Sequence, residues 1–235
     1  MVWADYHYPL SMPFFLITRD IYDIENIFIE RTPDTRWSIK MRDGNPIIQR
    51  DSLHNTRRFE YPWAFLNISP TCDSLLDMGS GGSSFTFYLT QFINRIVALD
   101  KDSLTVDEMN LIKRCNGRFH NLEPKCADLL DSGYEDNSFH TVISISVLEH
   151  TGHSNLIKAF DEIYRIAKKA ILVTMDVRLE PYEERIYLKD LESLSEEYGF
   201  KIPPMNQLTL LQILEEDKPP FGVACIRIDK EGSNE

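Results

Sequence analysis

The run Asp77-Met78-Gly79-Ser80-Gly81-Gly82-Ser83-Ser84 sets a carboxylate two residues ahead of a turn built from three glycines and three serines. Glycine lets the backbone take positive φ and lets a ligand press against the chain. A helix opening near Ser83 adds unpaired amides and the positive end of its dipole. Amides and dipole suit an anion, yet Asp77 would repel a pyrophosphate. An α-amino acid group resolves the conflict, because its carboxylate suits the amides and its ammonium needs an acceptor. Asp77 then meets that ammonium, directly or through water, or it caps the helix and orders the turn.

More positions extend the site. Asp100 closes the run Arg-Ile-Val-Ala-Leu-Asp 23 residues after Asp77, where an acid can accept from both hydroxyls of a ribose. Asp128, in Cys126-Ala127-Asp128-Leu129-Leu130, can accept from the amino group of an adenine while the backbone of Leu129 meets the ring edge. Ser146 and Val147 leave a fourth strand beneath the ligand. With Ser80, Gly81, Ser83 and Lys101 these positions describe one nucleoside site. S-adenosylmethionine carries the amino acid, ribose and adenine together. A nicotinamide dinucleotide is the alternative, and Asp77 opposes it.

These residues need a frame that gathers several strand ends. Short apolar runs alternate with helical patterns from residue 74 onward. Strands are predicted at 74–78, 95–100, near 123–130, and at 139–147, 170–177 and 221–229. Helices are predicted at 83–93, 103–115, 153–169 and 188–200, the last ending at Gly199 as a C′ glycine. Such alternation implies a mostly parallel sheet covered on both faces, with ligands beyond the carboxyl ends of its strands. Before residue 55 the pattern is weaker. Residues 15–20 and 26–30 read as short strands, and 32–34 and 43–46 as turns.

Taken in order, Leu75-Leu76-Asp77-Met78-Gly79-Ser80-Gly81, Ile96-Val97-Ala98-Leu99-Asp100, the Asp128 segment, the block from Glu135 to His150 and the stretch from Glu162 to Thr174 resemble the successive motifs of class I S-adenosylmethionine-dependent methyltransferases. The resemblance covers residues 74–177. Asp77, Gly79 and Gly81 match the family's acid-x-Gly-x-Gly-x-Gly pattern, and Ser83 stands at its third glycine. The resemblance implies a Rossmann-like methyltransferase sandwich. Its sheet would be mostly parallel and seven-stranded, with an antiparallel last strand and helices on both faces. The segments at 199–202 and 223–228 would supply the last two strands. It also implies S-adenosyl-L-methionine as cofactor and methyl transfer to an oxygen or nitrogen. A cofactor-binding member without transfer activity, or one with non-methylating chemistry, is the alternative.

Acceptor and base are read from what surrounds these motifs. His150 and His153 are candidate general bases, or surface and capping histidines. Trp37, Tyr61, Trp63 and Tyr88 could line an acceptor pocket or serve as core. Residues 1–65 are expected to form an N-terminal extension capping the acceptor side, and 66–235 the cofactor-binding domain. The turn at 149–153 and the connection at 176–189 complete that side. The segment Arg58 to Phe65 resembles a short element preceding the core in some bacterial relatives.

Composition narrows the partners. The net charge of −12 repels a phosphate backbone, so nucleic acid is not an expected partner. A small molecule or a glycan precursor is the expected acceptor. Cys72, Cys115, Cys126 and Cys225 are scattered without zinc spacing, which points to free thiols and a cytoplasmic location, with no metal site. No apolar window is long enough for a membrane span, and the amino terminus lacks the pattern of a secretory signal.

Overall fold

The computed structural model describes residues 16, 17, 19–21, 23, 40–42, 45–47, 56–178, 188–202 and 221–230. A short antiparallel hairpin, β1 (Lys40–Arg42) with β2 (Asn45–Ile47), precedes helix α1 (Arg57–Asn67). There follow β3 (Ser74–Met78), α2 (Ser84–Leu89), β4 (Arg95–Asp100), α3 (Ser103–Cys115) and β5 (Leu122–Cys126). The second half holds β6 (Phe139–Ile145), α4 (His153–Ile166), β7 (Ala167–Arg178), α5 (Leu188–Tyr198) and β8 (Phe221–Asp229).

Six strands form one sheet in the order β5-β4-β3-β6-β7-β8. All neighbours are parallel except β7 and β8. Strand order reverses between β3 and β6, which opens a crevice at their carboxyl ends. Successive residues of the central strands feed opposite cores, as the two-residue period of a strand requires. Leu75, Ile96, Ala98, Ile143 and Leu172 pack with Trp63, Phe85 and Phe87 on one face. Leu76, Val97, Leu99, Val142 and Val173 pack with Phe160, Ile163 and Leu191 on the other. A sheet buried on both faces explains why these strands read as continuous apolar runs.

Three sequence expectations need correction. The segment 199–202 is not a strand, so the sheet has six strands among the described residues instead of seven; 203–220 lie outside them. Gly199 does end α5, with φ +71°, and Phe200 turns inward to join the core. The described residues between 16 and 23 are helical, not extended; apolar Ile17 and Ile21 are buried four residues apart, a helical period that a short apolar run disguises. The predicted helix 83–93 stops at Leu89, where Thr90 turns its hydroxyl onto the Phe87 carbonyl. Residues 26–30, 32–34 and Trp37 lie outside the described residues.

Candidate functional site

The glycine turn is held from both sides. Gly79, Gly81 and Gly82 all take positive φ (81°, 57° and 64°). The Gly79 and Ser80 amides donate to the Leu99 carbonyl at 2.8 and 3.0 Å, fastening the turn to the end of β4. Gly79 also lies under Val147: a β-carbon there would sit 2.5 Å from Val147 Cγ1. The position therefore requires glycine twice, for its dihedral and for its neighbour. Ser83 caps α2 by accepting from the Thr86 amide.

Asp77 sits below this turn and is 3% exposed. The Thr86 hydroxyl donates to its Oδ2. Burial pushes its carboxyl up to about 7, against the pull of that hydrogen bond. Asp100 stands at the rim of β4. Its Oδ2 accepts from the Gly81 amide at 2.8 Å and its Oδ1 from the Asp102 amide at 2.9 Å. Two backbone bonds fix this carboxylate, and each oxygen keeps a lone pair for another donor. Asp128 accepts from the Leu130 amide in a tight turn two residues past the end of β5.

A cleft of about 380 Å³ opens at the switch point, within the range of small-molecule sites. It brings together Gly79, Asp100, Lys101, Asp128, Leu129, Ser146, Val147 and His150 from four strand ends. Ser146 adopts φ +50°, which no glycine relieves. Its amide donates to the Thr174 carbonyl at 2.9 Å. Its hydroxyl donates to Glu60 Oε1 at 2.5 Å, and the Thr174 hydroxyl joins at 2.6 Å. Glu60 is fully buried and also takes the Arg57 guanidinium on Oε2. One carboxylate on α1 thus fastens the ends of β6 and β7.

The match to known proteins falls on these elements. A family model described as a methyltransferase domain matches residues 76–173, from β3 into β7. The matched segment is 98 of the chain's 235 residues and is similar to a methyltransferase domain. S-adenosyl-L-methionine is the cofactor that its family implies. The uncharacterized protein MJ0638 of Methanocaldococcus jannaschii is 33% identical over 161 residues, which is 65% of this chain and 65% of that protein. The [4+2]-cyclase SpnF has the same fold, with a TM-score of 0.58 and 16% identity, over 91% of this chain and 93% of its own. DhpI, solved as a DhpI-SAM-HEP complex, aligns with a TM-score of 0.53 and 15% identity, over 74% of this chain and 88% of its own.

The sequence-predicted residues divide by position. Those named above line the cleft. Asp77, Ser80, Gly81 and Ser83 build the turn beside it without lining it. His150 is exposed at the cleft. His153 starts α4 and faces Asp190 of α5, with Nδ1 3.2 Å from the carboxylate. Tyr61, Trp63 and Tyr88 are core. Tyr61 stacks on Phe85 at 4.7 Å, and burial pushes its hydroxyl up to about 12. Sequence reasoning missed Thr86, Glu60, Thr174 and the cleft-lining Asn155, whereas the cleft-lining Thr151 falls in the expected 149–153 turn. The segment holding Glu60 is visible in the sequence, but nothing local marks that glutamate as the partner of residues 86 and 114 positions away. Among the described residues, no helix is long and apolar enough to cross a membrane.

Proposed function

We propose that this chain transfers a methyl group from S-adenosylmethionine to an oxygen or nitrogen of a small-molecule or glycan-precursor acceptor. The observation that carries this reading is the fixed Asp100 carboxylate at the rim of the cleft, bonded to the glycine turn. The residues fit the cofactor in kind. Asp100 would hold the ribose hydroxyls, and Asp128 and the Leu129 backbone the adenine. Asp77 is an acid whose pKa is raised by burial and further by the charge of Asp100. An ammonium nearby would offset that rise, directly or through water. Ser146 and Val147 form the floor.

When bound, the cofactor supplies a methyl group already activated on a sulfonium. The chain's task is then alignment and exclusion of water. The two amide bonds to Asp100 and the packing of Gly79 on Val147 hold the cleft walls rigid. His150 lines the cleft, which supports it over His153 as the base that would take a proton from a hydroxyl acceptor. In this reading residues 1–65 cap the acceptor side and 66–235 form the cofactor domain, with α1 running across that boundary. The net charge of −12 favours a non-nucleic acceptor. A cytoplasmic setting rests on the four free cysteines.

A second reading keeps the pocket and changes the chemistry, because SpnF, which shares the fold, is described as a [4+2]-cyclase. Calorimetric titration with S-adenosylhomocysteine and with NAD tests the pocket. Binding of the first and not the second is expected, and the reverse would overturn the assignment. Transfer of radiolabelled methyl into a metabolite extract separates a methyltransferase from the non-methylating alternative.

A further inference from the structure

We propose that Glu60, which lies outside the cleft, is a positioning residue for the cofactor: through the Ser146 hydroxyl it holds the cleft floor in a backbone conformation that serine does not keep unaided. The inference rests on the reading of the cleft as the S-adenosylmethionine site and adds what keeps that site in shape. Ser146 and Val147 line the cleft together with Gly79. Ser146 takes φ +50° where the chain leaves β6. Left-handed backbone is costly for a residue with a β-carbon and persists only where the surroundings over-determine it.

The surroundings of Ser146 do so. Its amide donates to the Thr174 carbonyl at 2.9 Å and to the Thr174 hydroxyl at 3.2 Å. Its own hydroxyl donates to Glu60 Oε1 at 2.5 Å, and the Thr174 hydroxyl donates to the same oxygen at 2.6 Å. These bonds close a ring through β6, β7 and α1. Glu60 Oε1 thereby fills both its lone pairs, and Oε2 takes the Arg57 guanidinium at 2.5 Å. Glu60 and Thr174 are fully buried, so solvent does not reach them to replace a lost partner.

The turn at Ser146 decides where Val147 goes. Val147 lies so close to Gly79 that a β-carbon there would stand 2.5 Å from its Cγ1. The ends of β3 and β6 meet at this contact, beside the ligand. A Ser146 that returned to negative φ would carry Val147 off Gly79 and change the wall that the ligand meets. Glycine would adopt the same dihedral without strain. Serine instead supplies a hydroxyl, and that hydroxyl is bonded to α1, 86 positions upstream. Glu60 does not itself line the cleft, so it acts on the ligand through Ser146. The shape of the floor is thus conditional on the docking of α1.

Calorimetric titration with S-adenosylhomocysteine, on variants that urea unfolding shows to be folded at the titration temperature, tests the inference. Ser146→Ala removes the hydroxyl and keeps the strained dihedral, and affinity is expected to fall about tenfold. Ser146→Gly removes hydroxyl and strain together, and affinity within about threefold of wild type is expected. A hydroxyl that touched the ligand directly would give equal losses in the two variants, and a merely structural one would leave the affinity of the folded protein unmoved. Either result overturns the inference and leaves the cofactor reading standing. Glu60→Asp, one methylene shorter, withdraws the carboxylate from both hydroxyls. It is expected to weaken binding about tenfold alone and less than about twofold when added to Ser146→Ala. A full further loss on top of Ser146→Ala overturns the path through Ser146. Should Glu60→Asp not fold, the order of the two Ser146 variants decides. Wild-type protein that fails to bind S-adenosylhomocysteine overturns the cofactor reading and this inference together.

Discussion

The ends of β3, β4 and β5 are held by short-range bonds, whereas the ends of β6 and β7 are held by a segment far away in the chain. Thr86 reaches Asp77 across nine positions and Gly81 reaches Asp100 across 19. Glu60 reaches Ser146 and Thr174 across 86 and 114. The first half is a set of turns bonded mainly to one another, with Val147 packed on Gly79 from the second half. The second half depends on α1 docking before its polar groups are satisfied. Buried polar groups are costly when unmatched, so the second half ties the integrity of the site to the segment preceding the domain core.

Substitutions can break this contrast. The largest effect is expected at Glu60. Glu60→Ala leaves Arg57, Ser146 and Thr174 without their common acceptor and should cost about 3–5 kcal/mol, the range for breaking a buried pair, as read from urea unfolding. A loss under 1 kcal/mol would show that α1 does not fasten the sheet. Gly79→Ala comes next. Its methyl would meet Val147 at 2.5 Å, at a φ of +81°, and should cost about 1–3 kcal/mol. Val147→Ala in the same chain should recover part of that loss.

A pH profile sharpens the comparison further. Burial pushes Glu149 and Asp77 up to about 8 and about 7. Groups raised in the folded state contribute stability that is complete below their unfolded values, near 4, and lost as pH climbs through the folded ones. Thermal stability should therefore fall between pH 5 and 8, and Glu149→Gln should flatten the upper part of that decline. An equally steep decline in the variant would remove Glu149 as its source. The smallest effect is expected at His153, whose pairing with Asp190 is partly exposed. His153→Ala should change stability by no more than about 1 kcal/mol and leave S-adenosylhomocysteine affinity within about twofold.

The same contrast governs what could be read from the sequence. β4, α3 and β8 fall where apolar period and end signals place them, because local pattern decides them. Asp102 caps α3 with its own carboxylate, a signal contained in adjacent residues. Gly79, Asp100, Asp128 and Ser146 were legible because each lies where a strand gives way to a turn. Glu60 was not, since a glutamate inside a helical stretch is ordinarily a solvated face, and only the docking of α1 buries it. The two histidines show the same limit. Both follow β6 closely, but one lies at the cleft and the other starts α4 against α5.

The central claim is that the cleft between β3 and β6 takes an adenosyl amino acid whose sugar is gripped by Asp100. Calorimetric titration of wild-type protein and of Asp100→Ala with S-adenosylhomocysteine tests it most directly. Wild-type protein should bind, and the variant should bind about 100-fold more weakly while unfolding at a similar urea midpoint. Undiminished affinity in a folded Asp100→Ala protein would contradict the account.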